Sequence, residues 1–385
     1  MATRQREDSA DKPVTEPIIS IDLPPTVHEA PEDEVAIALD DVPVDPVIAK
    51  PVEQVATTTI TIEAEKVAQG PETPDMLTPD RLVGPKGKAK APAPEGGWQK
   101  LVYHATLGAV NLGDPAEARE RKSVEQRVAR RFDGPTRFVA VLSRKGGVGK
   151  TTVSTLLGMT LASLREDRVI AIDANPDRGT LAERISKTTD ATVRDLVRSA
   201  ESIEAFSDFQ KLVSRDETRL DVLASDWNPN LQEEFDEDDY ATVAELAKRF
   251  YSIVLTDCGT GMVHTVMRAT LERAHQLVIV SGGSIDEARL TSETISWLEA
   301  NGYEALARNA VVALNTSTHG TDLVSLDEIE NHFASRVRDI VRVPYDPHLA
   351  TGATIKFSAL KPLTVESIRE LAASVVDGLP SFDSE

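Results

Sequence analysis

Residues 143–152 read Ser143-Arg144-Lys145-Gly146-Gly147-Val148-Gly149-Lys150-Thr151-Thr152, and their reading decides the fold. The residues before them, Phe138 to Leu142, form an apolar run as long as a buried strand. Behind them, Val153 to Leu164 carries apolar residues at helical spacing. A glycine-rich turn between strand and helix is the setting in which backbone N–H groups converge on one anion. The glycines at 146, 147 and 149 let the chain curl inward, and the helix N-terminus adds its partial positive charge. Lys150 is spaced to reach β- and γ-phosphates, and the Thr151 hydroxyl to ligate Mg²⁺. A turn that binds nothing would not need strand, glycines, Lys-Thr and helix all at these offsets.

Outward from this stretch, short apolar strands alternate with helices. Strands are expected at Val169–Asp173, Leu220–Ala224, Ser252–Asp257, Gln276–Val280, Ala310–Leu314 and Ile340–Val343. Helices are expected at Thr192–Ser199, Ile203–Val213, Asp238–Phe250, Met262–Ala274, Ile285–Glu299, Leu326–Val337 and Val365–Leu379. The helix at 285–299 places Asp286, Glu287 and Glu293 on its exposed side. This alternation predicts an α/β fold with a mostly parallel sheet covered by helices on both faces. Asp257 ends the apolar run Ser-Ile-Val-Leu-Thr-Asp. A carboxylate at the tip of a strand beside a phosphate loop is the Walker B arrangement for Mg²⁺.

The first 95 residues are a different material. They hold 14 of the 22 prolines, no Phe, Tyr or Trp, and 19 acidic against 9 basic residues. Such a stretch buries too little apolar surface to offset its ordering entropy, so residues 1–95 are expected to be a disordered, acidic arm. The composition changes at Gly96-Gly97-Trp98, and a charged helix is expected from Pro115 to Arg131. Residues 96–136 are then expected to form a linker and helical extension, and 137–385 the P-loop domain.

The net charge of the chain is −21, of which the arm contributes −10, so residues 96–385 still carry −11. That balance argues against non-specific binding to DNA or to an anionic membrane surface. The acidic C-terminal end, through Asp383 and Glu385, argues against a basic amphipathic membrane anchor. One cysteine, Cys258, excludes an intramolecular disulfide framework. No apolar run approaches the roughly 20 residues that span a bilayer, and no secretory signal is visible at the start, so a cytoplasmic location is expected.

Lys145 adds a second lysine five residues before Lys150, and Lys-Gly-Gly-Val-Gly-Lys-Thr-Thr resembles the deviant Walker A signature of the MinD/ParA ATPases. The resemblance covers about residues 137–379. It implies an ATPase that binds ATP and Mg²⁺ through Lys145, Gly146, Gly147, Val148, Gly149, Lys150, Thr151 and Thr152. It also implies a homodimer closed over two nucleotides, with Lys145 reaching the partner's phosphates. Asp173-Ala-Asn-Pro-Asp-Arg-Gly-Thr-Leu181 resembles the family's switch I, which sets Asp173 beside Thr151 and Asp257 as a metal residue. The family writes this segment Asp-x-Asp, and its second carboxylate orients the attacking water. Here that position is Asn175. Asp177, two residues on, either takes over the catalytic role or is a turn residue after Pro176. Asn315, at the end of Val-Val-Ala-Leu-Asn, matches the family's adenine-reading asparagine, or is a turn residue. Pro344 falls where the family lays backbone against the base.

A narrower resemblance joins the Pro-rich acidic arm, Gly-Gly-Trp-Gln-Lys, the phosphate loop and Asp-Ala-Asn-Pro-Asp-Arg-Gly-Thr-Leu. Together they are similar to the EspI-type ATPases associated with actinobacterial type VII (ESX) secretion. The expected function is a nucleotide-dependent regulatory switch with slow hydrolysis. Its partners would be a second copy and secretion-system proteins, met through the arm or the dimer surface. Recruitment to the inner membrane would come through those proteins. Two rivals are a ParA-like DNA-partitioning or protein-positioning ATPase and an ATP-binding scaffold with negligible turnover.

Overall fold

The computed structural model describes residues 115–176, 179–226, 235–316 and 325–381. The expected arm, the Gly96-Gly97-Trp98 boundary and Asp177 lie outside the described residues.

Among the described residues, eight strands form one sheet: β1 (Arg137–Leu142), β2 (Val169–Ala174), β3 (Ser214–Arg215), β4 (Asp221–Leu223), β5 (Ile253–Cys258), β6 (Gln276–Gly282), β7 (Val311–Asn315) and β8 (Asp339–Val343). Their spatial order is β3-β4-β2-β5-β1-β6-β7-β8. All neighbours are parallel except β3 and β4. β1 sits between β5 and β6, so the stretch that follows it emerges at the middle of the sheet.

β1 shows why these strands read as continuous apolar runs. All six of its residues are buried. Val139 and Val141 point into one core with Leu156, Leu157 and Leu371. Phe138, Ala140 and Leu142 point to the opposite face, into the cores that hold Tyr240 and Ile295. The two-residue period therefore needs apolar side chains at every position once helices cover both faces.

One face carries α1 (Ala116–Val128), α2 (Lys150–Leu164) and α11 (Pro362–Gly378). The other carries α5 (Glu237–Lys248), α6 (Thr265–Arg273), α7 (Ile285–Ala300) and α9 (Leu326–Ala334). Among the described residues there are also four short α-helices: α3 (Val193–Arg198), α4 (Phe206–Gln210), α8 (Glu304–Asn309) and α10 (Pro347–Ala350).

Two local expectations need correction. The helix expected over 203–213 is only α4, and the chain then turns back at 216–219 to lay β3 antiparallel on β4. The Arg215 guanidinium forks onto Asp221 at 2.7 and 2.8 Å, and Arg219 takes φ 75° in the turn. A two-residue strand has no periodicity to read. The helix expected through Arg131 ends at Val128. Past that end, Arg130 donates to the Val376 carbonyl at 2.7 Å and Arg131 pairs with Glu166. Arg127 bonds Asp377 at 2.7 Å and Arg369 reaches Glu125 at 3.2 Å, so α1 lies along α11. Those half-exposed pairs add little stability each; burial of Val128 and Val124 holds the helix down.

Candidate functional site

The loop between β1 and α2 is anchored by Val148, which is 3% exposed and belongs to the core beneath it. Gly147 and Gly149 take φ of 82° and 90°, the left-handed region that L side chains resist. Gly149 is also pressed against Asn315, whose amide nitrogen stands where a Cβ would go. Gly149 is the N-cap of α2, and no side chain caps that terminus. The first-turn N–H groups therefore face outward, which is the arrangement an anion completes.

Beneath the loop, Asp257 at the end of β5 gathers three donors. Lys150 Nζ and Ser154 Oγ bond Oδ1 at 2.8 and 2.7 Å, and Thr151 Oγ1 bonds Oδ2 at 2.8 Å. Asp257 is 1% and Lys150 9% exposed. Sequence reading misses Ser154. Its signal is the spacing: four residues after Lys150, it returns to the same face of α2.

Asp173, at the end of β2, stands in register beside Asp257. It accepts hydrogen bonds from the backbone N–H of Leu181 at 3.0 Å and of Asn175 at 3.2 Å. Burial, and then the neighbouring Asp257 carboxylate, push its pKa up to about 7. Cys258 is buried beside them, and burial lifts its thiol up to about 12, away from thiolate chemistry.

A cleft of about 450 Å³ opens over the loop. Lys145, Gly146, Gly147, Gly149, Lys150, Thr151, Thr152, Asn315 and Pro344 all line it, as does Asn175. Val148 lies under its floor; Asp257 and Asp173 lie behind it, and Asp173 borders a separate recess with Gly179 and Ser225. The cleft wall also includes Thr260, from the Gly259-Thr260-Gly261 stretch that resembles the family's switch II, and Tyr345 and Arg184, which sequence reading did not assign to the site. Tyr345 directly follows Pro344 and Arg184 lies three residues past Leu181, so both flank motifs read from the sequence without belonging to them.

Asn315 ends β7 and donates from Nδ2 to the Val148 carbonyl at 2.8 Å. One of its amide hydrogens thus fixes the loop, while the side chain still borders the cleft. Thr316 binds the Val343 carbonyl through its N–H and hydroxyl, which brings Pro344 alongside. Lys145 Nζ lies 3.0 Å from Glu287 Oε1. Glu287 also accepts from Ser284 N–H and Oγ at 3.1 and 2.7 Å, closing the capping box of α7. Arg144 approaches Glu293 at 3.5 Å. The acidic side of α7, read from sequence as a solvated face, is therefore the counter-charge of the phosphate loop. Burial alone would raise the Glu287 pKa, but the Ser284 and Lys145 hydrogen bonds outweigh it and bring the carboxyl below its usual range.

The donor set suits a magnesium nucleotide. The loop offers convergent N–H groups and a lysine, and the strand tips offer carboxylates beside a hydroxyl. Among the described residues no three His, Cys, Asp or Glu side chains form a closed metal cage. Mg²⁺ does not need one, because it keeps several waters and takes one or two carboxylates. Among the described residues no helix is long and apolar enough to cross a membrane.

Comparison with known proteins agrees with this geometry. The family model described as CobQ/CobB/MinD/ParA nucleotide binding domain matches residues 139–353. The chain is 34% identical over 283 residues to the ESX-1 secretion-associated protein EspI of Mycobacterium tuberculosis. That match takes in 73% of this chain and 42% of EspI, so the chain spans less than half the length of that relative. It is 25% identical over 248 residues to a putative septum site-determining protein MinD of Nephroselmis olivacea, covering 64% of this chain and 88% of that protein. In fold it resembles a ParA family ATPase from Chlorobium tepidum, with TM-score 0.52, 21% identity and coverage of 62% of this chain and 97% of that one. It also resembles the cell division ATPase MinD of Pyrococcus furiosus, with TM-score 0.50, 23% identity and coverage of 63% and 98%. Both the match over residues 139–353 and the loop built on Gly147 and Gly149 lead to one conclusion: the chain belongs to the CobQ/CobB/MinD/ParA nucleotide-binding domain family.

Proposed function

We propose that the protein binds ATP with Mg²⁺ in the cleft over residues 145–152, hydrolyses it slowly, and acts as a nucleotide-dependent switch for type VII secretion. The observation that carries the binding part is the convergence of Lys150, Thr151 and Ser154 on Asp257 under a glycine-rich loop that lines the cleft. Lys150 and the loop N–H groups would take the β- and γ-phosphates; Thr151, Asp257 and Asp173 would hold the hydrated Mg²⁺. Bound there, Mg²⁺ supplies charge neutralisation at the phosphoryl oxygens. Asn315 and Pro344 would meet the adenine. The secretion assignment is supported by the 34% identity to EspI.

The chain's own residues make turnover slow. Asn175 lines the cleft where the family carries a carboxylate, and a carboxamide positions water without accepting its proton. Asp177 is the candidate surrogate. This observation also sustains a second reading, a scaffold that binds ATP with negligible turnover. As a switch, the protein would pair with a second copy through Lys145, now held on Glu287, and would meet secretion partners through the dimer surface or the N-terminal arm. Direct contact with DNA or insertion into a membrane is not part of this reading, given the net charge of −21. The protein would work in the cytoplasm and reach the inner membrane through its partners.

The test is ATP titration of the wild type and Lys150→Ala. The variant should lose ATP affinity, because it removes the mobile cation aimed at the phosphates. Equal affinity in the two proteins would defeat the assignment of the loop.

A further inference from the structure

Arg184 closes the one-turn helix Leu181–Arg184 that follows β2, and its side chain lines the cleft with Lys150, Thr152 and Leu349. It makes no ion pair or side-chain hydrogen bond among the described residues, and its Nε is buried without an acceptor. The other cleft cations differ: Lys150 is paired with Asp257, and Lys145 with Glu287. Nor is Arg184 adrift in solvent. Its Nη1 and Nη2 lie 3.3 and 3.8 Å from the point a Cβ of Gly352 would occupy, so the chain at 352 leaves room for the guanidinium alone. Its carbonyl accepts the Ile355 N–H at 2.8 Å, and Ile355 is buried in the core beneath α2. The turn and the segment 344–355 thus hold each other, with the guanidinium between them and the cleft.

A guanidinium stays charged at all ordinary pH and presents its N–H groups in a planar fork. Holding that charge in a partly desolvated wall, with a buried donor unmatched, is unfavourable until an anion arrives. The anion that matches both the fork and the cleft is a phosphate group.

We infer that Arg184 is a further nucleotide-binding residue, whose guanidinium donates to the phosphate chain of a bound adenine nucleotide. The inference rests on reading the cleft as a nucleotide site. It brings a second cation to the phosphates from the segment after Asp173, independent of the loop. Binding would then tie the 181–184 turn and the 344–355 segment to one ligand.

The test is calorimetric titration of the full chain with ADP and Mg²⁺, beside ligand-observed NMR with adenosine, for wild type, Arg184→Gln and Arg184→Lys. Losing a charged hydrogen-bond donor should weaken ADP by about 10–100-fold in Arg184→Gln. Arg184→Lys keeps the charge and should fall between. Adenosine, which has no phosphate, should bind all three alike. The thermal midpoint of Arg184→Gln without ligand should not fall below wild type, since no side-chain partner is lost and an unmatched buried donor is removed. Unchanged ADP affinity in Arg184→Gln would overturn the inference and leave the nucleotide reading standing. Equal losses for ADP and adenosine would overturn it too, because the contact would not be to phosphate. A wild type that binds no ADP would instead defeat the nucleotide reading itself.

Discussion

Replacing the three loop glycines one at a time with alanine should give three different results. Gly146 has no left-handed backbone, and nothing lies within 4 Å of where its Cβ would stand. Gly146→Ala should change stability little, or raise it by up to about 1 kcal/mol through the unfolded chain. Gly147 has open space as well, but its φ of 82° costs an alanine about 1–2 kcal/mol. Gly149 adds to the same backbone cost, at φ 90°, an overlap with Asn315 Nδ2. Moving Asn315 breaks its 2.8 Å bond to the Val148 carbonyl, a net loss of about 0.5–1.5 kcal/mol. Gly149→Ala should therefore cost about 1.5–3.5 kcal/mol, which at a urea slope of about 3 kcal/mol/M lowers the midpoint by roughly 0.5–1.2 M. Urea unfolding followed by circular dichroism is the assay. Repeating it in an Asn315→Ala background should remove the excess of Gly149→Ala over Gly147→Ala. If that excess is absent in the wild-type background, or survives without Asn315, the close approach of β7 to the loop is not what constrains residue 149.

Ser154→Ala should destabilise by about 1.5–3 kcal/mol, the range for a hydrogen bond to a charged group, and an unchanged urea midpoint would remove Ser154 from the Asp257 network. Lys145→Ala should leave ATP binding by the monomer intact and weaken ATP-dependent dimerisation; light-scattering mass equal to wild type with ATP would rule out the cross-subunit role. Asn175→Asp should accelerate ATP hydrolysis, since general-base assistance contributes about 10²–10⁴-fold, whereas an unmoved rate would show that position 175 does not limit turnover. In the same assay Asp177→Asn should slow whatever rate remains, without changing ATP affinity, if Asp177 is the surrogate. His275 accepts the Phe138 N–H through Nδ1 at 3.0 Å, and burial, then the Arg137 charge, hold its pKa below 6.5. The unfolded chain therefore takes up this proton first, so the contribution of His275 is full above pH 6.5 and declines as pH falls below it. His275→Gln should flatten that slope in urea midpoints measured from about pH 5 to 8, and an identical slope would show that His275 is not its source.

What was legible in the sequence was local. The run Phe138–Leu142, the glycines and Lys150-Thr151 are contiguous, and their periodicities carry strand, turn and helix without reference to the rest of the chain. Asp257 was legible because a carboxylate closing an apolar strand is anomalous. The remaining parts of the site depend on which segments meet across the fold. Arg184 and Tyr345 reach the cleft only because the segment after β8 crosses toward the turn after β2. Glu287 was visible as an acidic helix residue, but its pairing with Lys145 depends on β6 lying next to β1. Asn315 shows the same limit from the other side. Its type suggested a base reader, and nothing local indicates that one amide hydrogen already belongs to the loop.

Helix α11 joins places that the sequence keeps far apart. At its start, the Lys361 N–H and the Thr364 hydroxyl both bond Asp346 Oδ2, at 2.8 and 3.0 Å, and Asp346 is part of the cleft wall. Further along, Glu125 meets Arg369, Arg127 meets Glu370 and Asp377, and Arg130, just past α1, meets Val376, so later residues of one helix meet later residues of the other. The two helices therefore point the same way, and Ala116 lies toward the end of α11 that grips Asp346. A rod fixed to the cleft at one end thus runs beside the rod from which the N-terminal segment departs. The α1–α11 pair thus links Ala116, where the described chain enters α1, to Asp346 in the cleft wall through one continuous run of contacts.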